Sequence, residues 1–507
     1  MTAAAATIPL SPGPPSGGPG LGETADDRLG RFRRDNLDRW EDQRRTELLE
    51  RAGRGDLGRW ERQLENIGHC RHPVRLRGQI RAVDLATGET ASIYDTASEP
   101  DGVLLTACGN RREHVCPPCS QVYKRDARQL VKAGLSGGKG VPETIAAHPC
   151  VFATLTAPSF GPVHTRCTSN GTALPCRPRR DAKARRCPHG RDISCPHRHP
   201  DADPRLGRPL CPHCYDYTAA VLFNAHAAEL WRRFTTYLPR RLAALAGVTA
   251  AQLRREVRIR YVKVAEYQAR GVVHFHAVIR LDAPGDSYQP PPGRYTTGLL
   301  ADAINHAAAA TYVAAEHDGD SGGTVLLRFG TQTDTRPIRH GPDGPLTAEA
   351  VANYIAKYAT KTLTAPGLPA RPIRSVADIQ QLTCSRHYQQ MITTAWQLGA
   401  TLPAEGGQRL RRWAHMLGYG GHYLTKSRRY SVTFGQLRAA RTAHRRAQRH
   451  PDDQTDPWGR DLDDTVVLVL TDWHYAGTGH HTLADQQLAL SAAARARDHD
   501  TWATDAA

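Results

Sequence analysis

Two segments near the middle of the chain alternate apolar and polar residues and are rich in β-branched side chains. These segments, 258–265 and 272–280, each predict a β-strand. The short link between them fits a three-residue hairpin loop with Gly271 in the left-handed conformation. This loop sets the register of the hairpin, because it places Gln268 opposite Val272.

Other periodic segments predict a series of strands and helices around this hairpin. In chain order these are a strand at 151–156, a helix at 217–245, the two hairpin strands, a helix at 297–315, a strand at 324–329 and a helix at 347–362. The order β-α-β-β-α-β-α predicts an α+β fold with a ferredoxin-like split βαβ core. We expect an antiparallel sheet with helices over one face and the other face open.

Changes in composition suggest how the rest of the chain is divided. The predicted regions are a disordered Pro/Gly/Ala tail at 1–27, an N-terminal helical and cysteine-bearing module at 28–148, the core at 149–364 with an insert at 165–214, a basic helical region at 374–448 and a C-terminal tail of unknown role at 449–507. The apolar run 465–470 is far too short to span a membrane, so no membrane partner is expected.

The chain carries an excess of positive charge. It has 67 lysines and arginines against 50 acidic residues, which gives a formal net charge of +17. Such a charge favours attraction to a polyanion, and this attraction should weaken as salt rises. Charge alone does not distinguish DNA from RNA or from an acidic protein.

The second hairpin strand carries two histidines on one face. His274 and His276 are two residues apart, and the hairpin register places Glu266 directly opposite His274. Opposed residues have Cβ atoms about 5 Å apart, so two imidazoles and one carboxylate converge. This mixed donor set favours Mn²⁺ or Mg²⁺. The alternative is a histidine pair that is satisfied by hydrogen bonds on a half-buried strand.

The helix predicted at 347–362 carries two tyrosines and two lysines at the edge of its apolar face. On a helical wheel the order from that edge is Tyr358, Tyr354, Lys361 and Lys357. A tyrosine is a poor nucleophile at its usual pKa near 10, but a metal and ammonium groups nearby favour its phenolate. The alternative is a tyrosine stripe that only packs on the sheet.

Twelve cysteines in a long chain without a signal-peptide pattern favour metal binding over a disulfide framework. The Cys-Pro-His turns of the insert predict one structural zinc-ribbon site with four thiolates, from Cys187, Cys195, Cys211 and Cys214. The residues that could replace one of these ligands are Cys167, Cys176, His197 and His199.

A second structural zinc site is predicted before the core. Its thiolates would come from Cys108, Cys116, Cys119 and, as the fourth ligand, Cys70. His69 and His114 are the alternatives to Cys70. The two remaining cysteines, Cys150 and Cys384, are expected to be ordinary buried thiols.

Aromatic and basic residues interleave in the C-terminal basic region. Such a mixture suits phosphate contacts combined with base stacking. The predicted nucleic-acid-binding residues are Lys426, Arg428, Arg429 and Tyr430, close to Tyr419 and Tyr423. The alternative is that these aromatic rings pack in a core.

Four motifs resemble those of the HUH endonuclease superfamily, and within it the rolling-circle replication initiators of actinobacterial plasmids and integrative elements. The resemblance covers most of residues 66–440, and its motifs lie at 152–156, 274–276, 354–361 and 418–430. It implies that Tyr358 is the attacking residue. Some related initiators have a glutamate one turn earlier for a terminating hydrolysis. This chain has Tyr354 there, which suggests termination by a second tyrosine.

The resemblance implies a metal-dependent nickase that acts in the cytoplasm on origin DNA that is single-stranded at the nick. The products would be a 5′-phosphotyrosine and a free 3′-OH that primes a polymerase. The sequence has no G-x-x-x-x-G-K-[ST] loop, so unwinding would need a host helicase. The alternatives are a conjugative relaxase or single-strand transposase with the same chemistry, and a non-enzymatic, zinc-stabilised nucleic-acid-binding regulator.

Overall fold

A computed structural model describes most of the chain between residues 41 and 505. The described ranges are 41–179, 186–285, 288–317, 323–338, 346–361, 368, 371–402, 404–449 and 467–505. The predicted tail at 1–27 therefore lies outside them. None of the helices in these ranges combines the length and the apolar character that crossing a bilayer requires.

The elements follow one another along the chain in a mixed α and β order. Residues 41–53 are helical, and the later helices are α1 (Leu57–Asn66), α2 (Pro117–Ser136), α3 (Tyr217–Leu245), α4 (Ala250–Glu256), α5 (Thr297–Ala310), α6 (Ala348–Thr360), α7 (Val376–Gln380), α8 (Arg386–Thr401), α9 (Ala404–Arg412), α10 (Phe434–Arg449) and α11 (Leu483–Asp505). The strands are β1 (Val74–Asp84), β2 (Thr90–Asp95), β3 (Leu104–Thr106), β4 (Cys150–Leu155), β5 (Cys167–Ser169), β6 (Thr172–Leu174), β7 (Arg258–Tyr267), β8 (Val273–Asp282), β9 (Tyr312–His317), β10 (Gly323–Arg328), β11 (Thr333–Pro337), β12 (Leu424–Lys426) and β13 (Val467–Thr478).

The chain forms two compact units that differ from the predicted regions. The first unit combines residues 1–108 with 456–507, and the second spans 109–455. In the first unit β1 pairs with β13 along its whole length and also with β2 and β3. The C-terminal segment, predicted as a separate tail, therefore supplies a strand to the N-terminal sheet. Its pattern alone does not show this, because its partner lies at the other end of the chain.

The second unit is built on a five-stranded sheet in the order β11-β4-β8-β7-β12, and all neighbouring strands are antiparallel. The predicted hairpin is confirmed: Glu266 pairs with His274, and the N–H of Gly271 donates to the carbonyl of Gln268 at 2.8 Å. Gly271 has a φ of 74°, as the predicted loop requires. The predicted tyrosine helix is also confirmed as α6. The region predicted as separate at 374–448 contributes β12 to this sheet.

The strand predicted at 324–329 was assigned to the wrong sheet. It corresponds to β10, which among the described strands pairs with β9 alone in a two-stranded sheet, while β11 pairs with β4 at the edge of the central sheet. The helix predicted to reach residue 315 ends at Ala310. The error has a physical cause: β11 is short and polar, so its sequence lacks the apolar pattern of a core strand, whereas β10 exposes apolar residues such as Leu326.

Helices cover both faces of the central sheet, so the prediction of one open face was wrong. On one face α3, α5 and α8 pack over residues such as Phe275. On the other, α2 and α6 pack over Phe152 and Val278. β8 is buried along nearly its whole length, although four of its five even-numbered positions are polar or charged. His274 and His276 share the face covered by α6.

The substitution Gly271→Ala is expected to destabilise the hairpin. The left-handed conformation costs an L-residue about 1–2 kcal/mol. In addition, a Cβ at this position would lie 2.7 Å from the Sδ of Met391 and 2.8 Å from the Cδ1 of Leu417, so the surrounding core must shift. A decrease in the urea concentration that unfolds the second unit, followed by the fluorescence of its tryptophans, measures this loss.

Gly140→Ala is the matched control. Gly140 has a φ of 87°, but a Cβ there would have no atom within 4 Å. This variant should lose only the conformational contribution. An equal loss of stability in the two variants would show that close packing around the hairpin loop contributes nothing.

Candidate active site

Three side chains of the hairpin strands converge on one point. The Oε2 atom of Glu266 lies 3.1 Å from Nε2 of His274 and 3.2 Å from Nε2 of His276. The potential ligand atoms of the three residues all lie within 4.8 Å of one another. The register of β7 and β8 produces this arrangement, because it aligns Glu266 with His274 on the face of the sheet that His276 shares. The structure thus brings the three predicted residues together.

Hydrogen bonds and burial favour the protonation states of His276 and Glu266 that binding of a cation requires. The Oγ1 atom of Thr154 lies 3.1 Å from Nδ1 of His276. If Nδ1 donates its proton to Thr154, the lone pair on Nε2 faces Glu266. Burial lowers the pKa of His276, which favours the neutral ring that a metal needs. Burial by itself would raise the pKa of Glu266, but its contacts with the imidazole rings of His274 and His276 hold it at about 2. Two nitrogens and a carboxylate oxygen fit a divalent cation.

The tyrosines of α6 lie beside this group. The hydroxyl of Tyr354 is 3.1 Å from Nε2 of His276. The ring of Tyr358 has its centroid 4.5 Å from that of Tyr354 and 5.9 Å from that of His276. Both rings are half-buried and pack against the hydrophobic core on this face of the sheet. The two tyrosines therefore pack on the sheet and also border the histidines and the carboxylate.

Two lysines bring positive charge to the same place. The Nζ atom of Lys361 is 3.4 Å from Oε1 of Glu266 and 5.1 Å from the ring centroid of Tyr358. Lys357 is exposed, with its Nζ 5.7 Å from the same centroid. Burial, and next the charge of Glu266, raises the pKa of Tyr354.

The sequence of α6 explains where this helix begins and which face it buries. Two contacts around the site were not predicted from the sequence. Thr347 caps the helix by accepting a hydrogen bond from the N–H of Ala350, and the buried apolar stripe of α6 faces the sheet. Near the other end, Arg111 donates to the carbonyl of Ala359 at 3.1 Å. Neither Arg111 nor the contact from Thr154 to His276 was predicted. Thr154 does lie in the strand motif noticed in the sequence, but Arg111 is distant from every motif of the site.

The insert, together with His164 just before it, contains two Cys/His clusters, so the prediction of a single four-thiolate site was wrong. One cluster consists of Cys187, His189, Cys211 and Cys214, and the other of His164, Cys176, Cys195 and His199; within each, the ligand atoms lie within 4.8 Å of one another. Cys195 is therefore separate from the other three predicted ligands. The Cys-Pro-His turns look alike in the sequence, which does not show how they pair in space.

The cysteines outside the insert lie in different places. Cys70 and Cys108 belong to the first unit, where the N–H of Cys108 donates to the Sγ of Cys70 at 3.3 Å. Cys116 and Cys119 belong to the second unit, at the start of α2. A zinc site shared by these four residues stays a prediction. Of the two cysteines expected to be ordinary thiols, Cys150 is buried as predicted and Cys384 is only half-buried.

The aromatic residues of the C-terminal motif fill the core instead of facing nucleic acid. Tyr430 is completely buried, and its hydroxyl donates to the carbonyl of Val131 at 3.2 Å, so its prediction as a nucleic-acid contact was wrong. Tyr419 and Tyr423 are also buried. A large ring with one polar atom suits a core position when that atom finds a partner, and interleaving with basic residues did not reveal this.

The basic residues of the same motif divide into two kinds. Lys426 is half-buried, and its Nζ donates to the carbonyls of Arg428 and Ser431 at 3.1 and 2.9 Å, so it braces the turn in which it lies. Arg428 and Arg429 are exposed. Only these two of the four predicted contact residues present their side chains mainly to solvent.

A family model and a curated relative match this chain and carry the same description. Residues 56–494 match a family model described as RepSA, replication initiator protein, pSAM2. The chain is 44% identical over 441 residues to a curated replication initiator protein from Streptomyces ambofaciens. The aligned residues make up 86% of this chain and 89% of that protein. A comparison with solved structures found no significant match.

The substitution Thr154→Val is expected to weaken metal binding at Glu266, His274 and His276. It removes the oxygen beside Nδ1 of His276, and loss of such a supporting hydrogen bond lowers metal affinity roughly 10–100-fold. Titration of the zinc-loaded protein with Mn²⁺, followed by electron paramagnetic resonance, measures the change.

Thr425→Val is the matched control, because Thr425 lies on a strand of the same sheet. Its neighbour Leu424 packs on the face covered by α6, so Thr425 faces the opposite side. Its replacement should leave Mn²⁺ affinity unchanged. A wild-type affinity in the Thr154→Val variant would show that the hydroxyl has no part in orienting His276.

Proposed function

The chain belongs to the RepSA family of replication initiator proteins, and we propose that it initiates rolling-circle replication of a plasmid or integrative element by nicking one strand of the origin with a tyrosine. The observation that carries this proposal is the placement of Tyr354 and Tyr358 beside the Glu266, His274 and His276 group. A metal-binding group and a hydroxyl nucleophile on adjacent rigid elements are what transesterification at a phosphate needs.

The topology supports assignment to the HUH endonuclease superfamily. Along the chain β4, α3, β7, β8, α5 and β11 follow one another in the order of a split βαβ unit. In the sheet the four strands stand in the order β11-β4-β8-β7, with β12 added at the edge. The hairpin of β9 and β10 is then an insertion before the last core strand. The two histidines lie on a central strand, β8, next to the strand that carries the glutamate.

In this mechanism Glu266, His274 and His276 would hold Mn²⁺ or Mg²⁺. When bound, the ion polarises the scissile phosphate and offsets the negative charge that develops on its oxygens. Thr154 orients the His276 ring, and Lys361 adds positive charge on the side of Tyr358. Because these groups belong to strands and a helix packed in one core, the site is largely formed before DNA binds.

Tyr358 is the proposed nucleophile for the first cut. Its hydroxyl oxygen attacks the phosphorus, loses its proton and forms a phosphotyrosine bond to the 5′ side of the nick. The bond between phosphorus and the 3′ oxygen breaks, and that oxygen takes up a proton to become a 3′-OH. Lys357 and Lys361 stabilise negative charge on the phenolic oxygen during attack. The energy of the phosphodiester is kept in the adduct, so later rejoining needs no ATP.

Tyr354 is proposed as the nucleophile that ends the reaction. It lies one turn before Tyr358 on α6, and its hydroxyl reaches Nε2 of His276. A second tyrosine at this point can attack the regenerated origin after a round of synthesis. Termination then proceeds by a second transesterification instead of by hydrolysis.

The proposal includes partners and structural metals. A host polymerase would extend the 3′-OH, and a host helicase would unwind the duplex, because the sequence has no nucleotide-binding loop of the G-x-x-x-x-G-K-[ST] type. The DNA would be single-stranded at the nick. Structural Zn²⁺ is proposed for the insert cluster of three cysteines and one histidine formed by Cys187, His189, Cys211 and Cys214.

A nicking assay with the Tyr358→Phe variant tests the proposed function. Supercoiled plasmid that carries the replicon's origin region is incubated with purified protein and Mn²⁺. The wild-type protein should give open circles with protein attached to the 5′ end. Loss of the nucleophile should lower the rate of adduct formation about a thousandfold or more. Tyr354→Phe should leave the first adduct intact and reduce rejoining.

Tyr312→Phe is the control, since Tyr312 is an exposed tyrosine on β9, outside the central sheet. Full nicking by the Tyr358→Phe variant would move the first attack to another residue, with Tyr354 the next candidate. Retardation of DNA in a gel without nicking by the wild-type protein would favour the non-enzymatic regulator. Proficiency in conjugative transfer without autonomous replication would favour a relaxase, and strand transfer without replication a transposase.

The double substitution of Arg428 and Arg429 by alanine is expected to weaken binding of origin DNA. Each lost phosphate contact should reduce the slope of log affinity against log salt by about 0.9. The slope is measured by fluorescence anisotropy at several salt concentrations. Tyr430→Phe is the contrasting variant, because the buried hydroxyl contributes about 1 kcal/mol to stability and should leave the slope unchanged. The reverse pattern would restore Tyr430 as a DNA contact.

A further inference from the structure

Three side chains of the insert meet His164, the residue that directly precedes it, in a group of potential metal ligands that has no part in the proposed nicking reaction. Nδ1 of His164 lies 3.2 Å from Nε2 of His199, and Sγ of Cys195 lies 3.4 Å from the same Nε2 atom. Sγ of Cys176 completes a group in which all ligand atoms lie within 4.8 Å of one another. In a tetrahedral zinc site, bonds of about 2.0 Å to nitrogen and about 2.3 Å to sulfur separate the ligands by roughly 3.3–3.8 Å. The observed distances agree with this spacing.

We propose that His164, Cys176, Cys195 and His199 form a structural zinc site with two imidazole and two thiolate ligands. This site is distinct from that of Cys187, His189, Cys211 and Cys214, where three thiolates and one imidazole converge. Two zinc ions would then be bound here: one site takes Cys187 and His189 from the first Cys-Pro-His turn, and the other takes Cys195 from the second.

The hydrogen bonds of His199 orient its ring towards the cluster. Its Nδ1 atom lies 2.8 Å from Oδ2 of Asp203, a carboxylate that accepts the proton of that nitrogen. Nε2 then carries a lone pair, which points at Cys195 and His164. A carboxylate behind a ligating histidine is the usual support of a zinc site, because it fixes the tautomer and strengthens the ligand. His199 is only 1% exposed, so its orientation is held by the surrounding protein.

The two cysteines have surroundings that suit thiolate ligands. The backbone N–H of Thr165 donates to Sγ of Cys176 at 3.1 Å, and Sγ of Cys195 lies 3.4 Å from Nε2 of His199. Both cysteines are buried. A backbone donor that points at a buried sulfur atom stabilises negative charge there, and a bound cation completes the neutralisation.

The site joins separate stretches of the insert and one of them touches the catalytic hairpin. The N–H of His164 donates to the carbonyl of Arg208, and the carbonyl of His164 accepts from the N–H of Gly207 at 2.8 Å. Gly207 in turn packs so closely on the hairpin loop that an added Cβ would lie 2.1 Å from backbone atoms of Ala269. Zinc therefore anchors the segment that borders the loop between β7 and β8.

Zinc analysis of the full-length protein tests the proposal. The double variant Cys176→Ser with Cys195→Ser should contain one zinc ion fewer per chain than the wild type when measured by mass spectrometry of the metal. The double variant Cys187→Ser with Cys214→Ser should lose a different ion, so that the combined variant loses two. Cys167→Ser is the control in the same insert, because its thiol belongs to neither cluster and its zinc content should match the wild type.

Cobalt substitution provides a second readout that depends on ligand type. The absorption from sulfur-to-cobalt charge transfer grows with the number of thiolates. The Cys176 and Cys195 variant should therefore lose the contribution of two thiolates and the visible bands of a site with two nitrogens and two sulfurs. Removal of the other site should take away the contribution of three thiolates.

The variant Asp203→Asn keeps all four ligands, so it tests the site even if the cysteine variants do not fold. It should bind zinc at saturation but with an affinity roughly 10–100-fold lower in competition with a chelator. The proposal is overturned by an unchanged zinc content after Cys176→Ser with Cys195→Ser, by an equal loss after Cys167→Ser, by a Cys176–Cys195 disulfide in the zinc-loaded protein, or by an unchanged affinity after Asp203→Asn.

Discussion

The register between β7 and β8 is the constraint on which the candidate site depends. A slip of one residue would turn every side chain of one strand to the opposite face and separate Glu266 from the histidines. A buried amide reinforces the register: Asn224 of α3 donates to the carbonyls of Gly271 and Leu417 and accepts from the N–H of Val273, each at 2.9 Å. An unpaired buried amide is costly, so a shifted hairpin would lose several hydrogen bonds at once.

Both faces of the sheet are buried, so the side chains that this register aligns are held rigidly. The apolar stripe of α6 packs on the aliphatic residues of β7 and β8 that lie next to Glu266 and the histidines, so the tyrosines are fixed with respect to those residues. Helices on the opposite face hold the same strands from behind. The side chains of the candidate site therefore lie on packed strands and a helix instead of on loops. This arrangement favours accurate placement of these groups.

Short-range features of the site could be predicted from the sequence, whereas features that depend on distant partners could not. The loop at Gly271 fixes its own register, and the capped amphipathic pattern of α6 is local, so both were correct. The partner of Cys195 and the burial of Tyr430 depend on segments far away in the chain. The same is true of β11, because its polar residues become a strand only by pairing with β4. Local pattern carries no information about these pairings.

The different surroundings of the two tyrosines give the proposed order of attack a physical basis. Tyr358 lies near the ammonium groups of Lys357 and Lys361, which can stabilise charge on its oxygen in the first cut. Burial, and next the charge of Glu266, raises the pKa of Tyr354, which favours its protonated form during the proposed first cut. Residues four apart on a helix are separated by a rise of only about 6 Å. A change in local charge once Tyr358 is esterified, without movement of α6, would then be enough to pass the reaction to Tyr354.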